Sequence, residues 1–159
     1  MRRALSFESN AHSMTEILPA NFLDLKALTK LERECFGPDA WPLLDLIAVL
    51  TFADIVRLKA VDEGEMIGFV AGDPHPAEGF SWIATLGVSP QNRRKGVGRD
   101  LLRACEARLR TPLLRLSVRA SNEAAIRLYE EEGWTRVKVW QGYYKDGEAA
   151  IVMEKTREV

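Results

Sequence analysis

Apolar positions recur with two different periods along this chain, and the switches between them give an order of elements. TEILPA (15–20) reads as a short first strand. In 21–36 the apolar residues Phe22, Leu25, Leu28, Leu31 and Phe36 fall close to helical spacing. Asn21 is placed to cap that helix, and Asp24 to favour its N-terminal dipole. GPDAWP (37–42) breaks the pattern, and LLDLIAVLTF (43–52) predicts a second helix. Residues 54–74 read as a hairpin: Ile55, Leu58, Ala60 and Val61 precede the turn DEGE, and Met66, Ile67, Phe69 and Val70 follow it. Residues 79–90 form a further strand stopped by Pro90. A helix over 96–110 then turns Val97, Leu101, Leu102, Cys105 and Leu109 to one face. PLLRLSV (112–118) is a strand, and 122–133 a helix that Gly133 can end. WTRVKVW (134–140) and EAAIVMEK (148–155) close the chain as two strands.

This order predicts an α/β protein with a mixed, mostly antiparallel sheet, in which the 96–110 helix is a parallel crossover between its flanking strands. Length changes the picture little: 159 residues suit one domain with a sizeable core. We assign that domain to 15–159 and read 1–14 as a loose N-terminal extension, with Met14 an alternative start. A net charge of −1 gives no global electrostatic case for nucleic acid or an anionic membrane, so any anion site is local. Cys35 and Cys105 lack CxxC partners and read as reduced, packed thiols rather than metal ligands. No apolar run is long enough to span a bilayer, and the N-terminal stretch is a poor signal peptide; both point to the cytoplasm. Nothing in the sequence sets an oligomeric state.

Candidate chemistry begins at QNRRKGVGRDLL (91–102), where Arg93, Arg94 and Lys95 stand directly before Gly96, Val97 and Gly98. The first turn of a helix leaves about four N–H groups without intrahelical partners, at the positive end of its dipole. A pyrophosphate can accept those donors, and glycines let its oxygens approach the backbone. On these residues alone, a phosphate cradle and an ordinary charged turn stand level. A dinucleotide fingerprint and a P-loop both fit worse, because position 101 is leucine and no G-K-[ST] follows.

The downstream segment separates the two. LGVSPQNRRKGVGRDLL (86–102) with VRASNEAAIRLYEEEGW (118–134) resembles the GNAT superfamily of acyl-CoA-dependent N-acetyltransferases, nearest its ribosomal-protein alanine N-acetyltransferase (RimI-like) branch. YYKDGEAAIVMEK (143–155) resembles that branch's closing hairpin, and LERECF (31–36), less specifically, its first helix. The resemblance implies a central sheet of about six to seven strands flanked by about four helices. It implies acetyl-CoA as cosubstrate, with no metal, and direct attack by an amine, such as a peptide N-terminus, in a ternary complex. It places the coenzyme on Leu86, Gly87, Val88, Arg93, Arg94, Lys95, Gly96, Val97, Gly98 and Asn122, with the N–H of Val88 or of a neighbour at the strand splay as oxyanion donor. It makes Tyr129 the acid that protonates the departing thiolate. Tyr143 and Tyr144 either line the acceptor groove, as that branch's tyrosines do, or simply pack the hairpin.

One position departs from the pattern. Where the branch commonly carries a Glu or His base, this chain has Ser117, which is no base without further activation. Strand 79–89 offers no acid either. At pH 7 the neutral form of an α-amine costs about 1–1.4 kcal/mol to reach, that of a lysine about 4.6. A site without a strong base therefore favours an α-amine. A small-molecule amine, or a non-catalytic acyl-CoA-binding module, are the alternatives; a retained Tyr129 argues against the module. Glu34 and Asp39 read as solvated surface, and His75 as an exposed loop residue.

Overall fold

The computed structural model describes residues 15–159, so the extension assigned to 1–14 lies outside the described residues. Seven strands and four helices follow the anticipated order: β1 (Glu16–Pro19), α1 (Leu25–Phe36), α2 (Leu43–Thr51), β2 (Val56–Asp62), β3 (Glu65–His75), β4 (Phe80–Val88), α3 (Val97–Arg108), β5 (Leu113–Arg119), α4 (Glu123–Glu131), β6 (Thr135–Trp140) and β7 (Ala150–Thr156). One sheet holds all seven strands in the order β1-β2-β3-β4-β5-β7-β6. Every adjacent pair is antiparallel except β4 with β5, the strands joined through α3.

The first helix differs from its sequence reading. Asn21 caps a 3-10 turn over 22–24, and α1 starts only at Leu25. The cause is a capping box: Asn21 Oδ1 accepts from Leu23 N (2.9 Å) and Asp24 Oδ2 from Asn21 N (2.9 Å). Asp24 is held further by Lys59 Nζ of β2 at 2.7 Å, which fixes the turn against the sheet.

Each face of the sheet carries its own core. On one, Val97, Leu101, Leu102 and Cys105 of α3 with Ile126 and Tyr129 of α4 pack on Leu58, Val70, Ile83, Leu114, Leu116, Val118 and Met153. On the other, Leu28 and Leu31 of α1 with Leu46, Val49 and Leu50 of α2 pack on Phe69 and Ala71. Each buried leucine contributes about 1.5–3 kcal/mol. The approach of α3 to β3 is close enough that a side chain would force its neighbours to move: a Cβ on Gly68 would stand 2.8 Å from Leu101 Cδ1, and one on Gly72 2.9 Å from Cys105 Sγ. That contact seats the start of α3 beside the end of β4, where the candidate chemistry lies.

Candidate active site

The parallel ladder between β4 and β5 is short. It pairs Phe80, Trp82 and the residue between them with Leu113–Arg115 and then ends. Beyond it the two strands diverge, leaving Ile83–Val88 and Leu116–Arg119 facing across a wedge-shaped gap. Ser89 N donates to Ile67 O of β3 at 2.8 Å. By strand alternation Gly87 also bonds toward β3, so Leu86 and Val88 turn their N–H and C=O groups into the gap. An extended, amide-bearing ligand arm can bond there to Leu86 and to the Val88 N–H, the Val88 carbonyl already accepting from Arg93 Nε and Cys35 Sγ. Gly87 has a different function: a Cβ on it would lie 3.2 Å from Cys35 Sγ and 3.3 Å from the Phe36 ring, so its lack of a side chain seats α1 on β4.

The basic glycine turn sits at the open end of the gap. Arg94 (φ +63°) and Gly96 (φ +81°) both adopt left-handed backbone, and Gly96 is the N-cap of α3. The first intrahelical bond runs from Asp100 N to Gly96 O (3.0 Å), and no side chain caps the end. The N–H groups of Val97, Gly98 and Arg99 are thus free to point at an anion. Arg93, Arg94 and Lys95 are exposed around them, with Arg93 Nε on Val88 O at 3.0 Å. Gly98 stands between Val88 and Leu128, each 3.6 Å from where its Cβ would be. Arg99 bonds Glu131 and Glu132, and Arg103 bonds Glu132 at 2.8 Å, which ties α3 to α4 along this edge. Asn122 Oδ1 caps α4 through Ala125 N (3.2 Å); its amide nitrogen is left for a ligand.

Tyr129 is only 7% exposed, its ring 6.2 Å from that of Trp134. Trp134 is itself fixed, donating Nε1 to Glu106 at 3.0 Å, while Lys155 holds the other Glu106 oxygen at 2.8 Å. The Tyr129 hydroxyl makes no hydrogen bond among the described residues, and none of their buried side-chain polar atoms lacks a partner. The hydroxyl is therefore the accessible end of a buried ring. Burial, with Tyr144 adding to it, pushes this phenol well above its ordinary value, so it keeps its proton at neutral pH.

On the α1–α2 face the side chains of Arg115, Ser117 and Arg119 alternate with the buried Leu114, Leu116 and Val118. Arg119 gathers this side. It bonds Asp39 of the α1–α2 loop (2.7 Å), Asp146 (2.8 Å) and Glu148 (2.6 Å) of the β6–β7 connection, and covers the Tyr144 ring at 4.0 Å. Asp39 is thus a partnered residue, against the expectation of solvated surface; Glu34 does remain at the surface, 3.9 Å from Lys30. Tyr143 lies between Tyr144, which it meets edge-on (5.0 Å), and Trp140 (5.4 Å, tilted), and Trp140 meets Trp82 of β4 at 6.1 Å. Ser117 is half-buried, and its hydroxyl makes no hydrogen bond among the described residues, so nothing activates it. His75 is not brought to this site. It pairs with Asp73 (3.1 Å) and stacks on Phe80 (5.1 Å) at the opposite end of β4 from Val88.

Sequence reasoning missed Arg119 and Glu32. The signal for Arg119 was one arginine inside VRASN against three acids in GPD and KDGE. Glu32, inside LERECF, is a helix glutamate like any other in sequence. In the structure it is 4% exposed, accepts from Trp41 N at 3.3 Å, and burial pushes its carboxyl up to about 7.

Residues 25–134 match the family described as the acetyltransferase (GNAT) family. The chain is 30% identical over 138 residues to the N-alpha-acetyltransferase RimI of Mycobacterium tuberculosis, covering 83% of this chain and 86% of that protein. It is 29% identical over 150 residues to an N-alpha-acetyltransferase of Sulfurisphaera tokodaii, covering 84% and 88%. Among solved structures it is similar to the ribosomal-protein-S18-alanine N-acetyltransferase of Escherichia coli, with a TM-score of 0.81 and 27% identity over 92% of this chain and 96% of that one. The diverging β4–β5 edge, the basic cradle at α3 and a family match over most of the chain meet in one conclusion: the protein belongs to the GNAT acetyltransferase family.

Proposed function

We propose that residues 15–159 form a single catalytic domain that moves an acetyl group from acetyl-CoA to the α-amine of a peptide or protein N-terminus. The observation that carries this reading is the β4–β5 gap itself, with free strand-edge N–H groups on one side and an anion cradle at its mouth. Acetyl-CoA supplies a thioester-activated acetyl group. The residues here fit it: Leu86 and Val88 offer backbone bonds to the pantetheine arm, and the N–H groups of Val97, Gly98 and Arg99 with Arg93, Arg94 and Lys95 receive the pyrophosphate. The Asn122 amide is a further donor at the same mouth. The Val88 N–H polarises the thioester carbonyl. Tyr129 holds a proton until charge builds on the leaving sulfur, then gives it up. Tyr143 and Tyr144, fixed by Trp140 and Arg119, wall the side on which the acceptor enters. Supporting the α-amine as acceptor are the activities named for the Mycobacterium and Sulfurisphaera relatives over most of both chains.

The test is thiol release from acetyl-CoA across peptides with free and blocked N-termini; the reading requires release only where an acceptor amine is present. A narrower prediction concerns the cradle. An alanine at Gly96 must hold a φ of +81°, at a cost of roughly 1–2 kcal/mol, or swing the first-turn amides off the anion. Gly96→Ala is expected to weaken acetyl-CoA binding about tenfold by calorimetry. Wild-type affinity in that variant would contradict the assignment.

A further inference from the structure

Ser117 leaves the acceptor amine without a recognised base, so something else in this chain must take its proton. We propose that Glu32 of α1 is the general base of the site, accepting the proton of the attacking α-amine directly or through one water; this rests on the N-acetyltransferase reading above.

Three observations place it there. Cys35 and Phe36, three and four residues on, share its face of α1. Cys35 Sγ is 3.4 Å from Val88 O, and both side chains lie over Gly87, so that face of the helix lies on the gap-lining part of β4. Glu32 Oε1 meanwhile accepts from Trp41 N, in the loop that Asp39 carries across to Arg119 of β5. Glu32 is thereby bracketed between the β4 edge of the gap and the loop bridging to its β5 edge, on the acceptor side.

The third observation is what it lacks. Glu106, the other glutamate buried among the described residues, has both oxygens occupied, one by Trp134 Nε1 and one by Lys155 Nζ. Glu32 makes no ion pair, and its Oε2 has no protein partner among the described residues. Since no fully buried side-chain oxygen among the described residues lacks a partner, Oε2 retains a contact with solvent, through which a water can relay a proton. A glutamate kept only to brace the Trp41 amide could be an uncharged glutamine. The titratable group beside it is the neutral Cys35 thiol on its own helix; Arg93 and Glu34 act on that thiol, and the Asp39–Arg119 pair lies further along the loop and on β5. None makes an ion pair with it, so burial governs its protonation and brings it near the range in which an α-amine titrates, about 7.7–8.0. At the pH where the acceptor is half-neutral, such a base is already mostly ionised and able to take a proton.

The step balances. The amine nitrogen forms a bond to the acyl carbon and passes a proton to Glu32. The carbon–sulfur bond breaks and Tyr129 delivers a proton to sulfur. Solvent then returns a proton from Glu32 to Tyr129.

Glu32→Gln keeps an acceptor for the Trp41 amide and removes the base. We expect kcat to fall roughly 10²–10⁴-fold, with acetyl-CoA affinity within twofold of wild type. A glutamate that folding must bury also destabilises as it ionises. Its raised value means the folded state binds the extra proton, so stability falls as pH rises from about 4.5 toward about 7. Glu32→Gln should therefore melt higher than wild type at pH 8 and equal to it at pH 4.5. In the wild type, the basic form is the active one, so kcat rises through a limb near pH 7 that stays put when the acceptor amine is exchanged for one of different pKa. A Glu32→Gln enzyme turning over within threefold of wild type overturns the proposal, as does a wild-type limb that moves with the acceptor; the latter holds even if the variant does not fold. A wild type that binds acetyl-CoA but acetylates no α-amine instead overturns the functional reading on which it rests.

Discussion

Tyr129→Phe is expected to lower kcat by roughly 10²–10⁴-fold while leaving acetyl-CoA affinity within about twofold. The ring is buried against Trp134 and its hydroxyl bonds nothing in the protein among the described residues, so phenylalanine keeps the packing and strands no partner. Loss of turnover in a protein of unchanged melting temperature then isolates the proton. The phenol's upward displacement gives a second reading. A group this reluctant to ionise stays a donor throughout the working range, so the tyrosine contributes no falling limb in the rate profile near its ordinary value of about 10. Wild-type turnover in Tyr129→Phe would remove the thiolate acid from the account.

The second large effect is expected at Arg119. Its guanidinium bonds Asp39, Asp146 and Glu148 together, and it lies on the Tyr144 ring. Arg119→Leu leaves three carboxylates facing each other and unties both loops that wall the acceptor side. Glu148 and Asp146 are held below their ordinary values largely by hydrogen bonds, some of them from Arg119, so both regain protons more readily in the variant. Because Asp39 sits in the loop that Trp41 anchors to Glu32, the loss also loosens the proposed base. Misplacement on the scale of about 1 Å costs roughly 10²-fold, and kcat/KM for the peptide should fall by about that much. Acetyl-CoA binding, on the opposite side of the gap, should be unchanged. Steady-state kinetics with each substrate varied in turn separates the two; equal losses for both would show a general collapse instead.

How far the sequence foretold this follows from what each signal depends on. Element order was legible because each segment's apolar period answers to a face it must bury, as with Val97, Leu101, Leu102 and Cys105 on α3. The donor cradle was legible because its parts are contiguous: three cations, two glycines and a helix start. The acceptor side was not, because its parts come from four separate segments. Nothing local marks Asp39 and Arg119, 80 positions apart, as partners. Glu32 was hidden for a related reason. Its chemistry comes from burial among other elements, and a helix glutamate carries no sequence mark of that. The start of α1 was misjudged because a local capping box outweighed helical periodicity over 22–24.

The central claim is that an α-amine receives the acetyl group, and the most direct test is to locate the product. Wild-type protein, acetyl-CoA and a peptide carrying both a free N-terminus and an internal lysine are incubated, and fragment mass spectrometry maps the modification. The account predicts acetylation at the N-terminus, at a rate that matches thiol release, and none when that terminus is blocked. Acetylation of the lysine in both peptides, with the α-amine of the unblocked peptide left untouched, would contradict it.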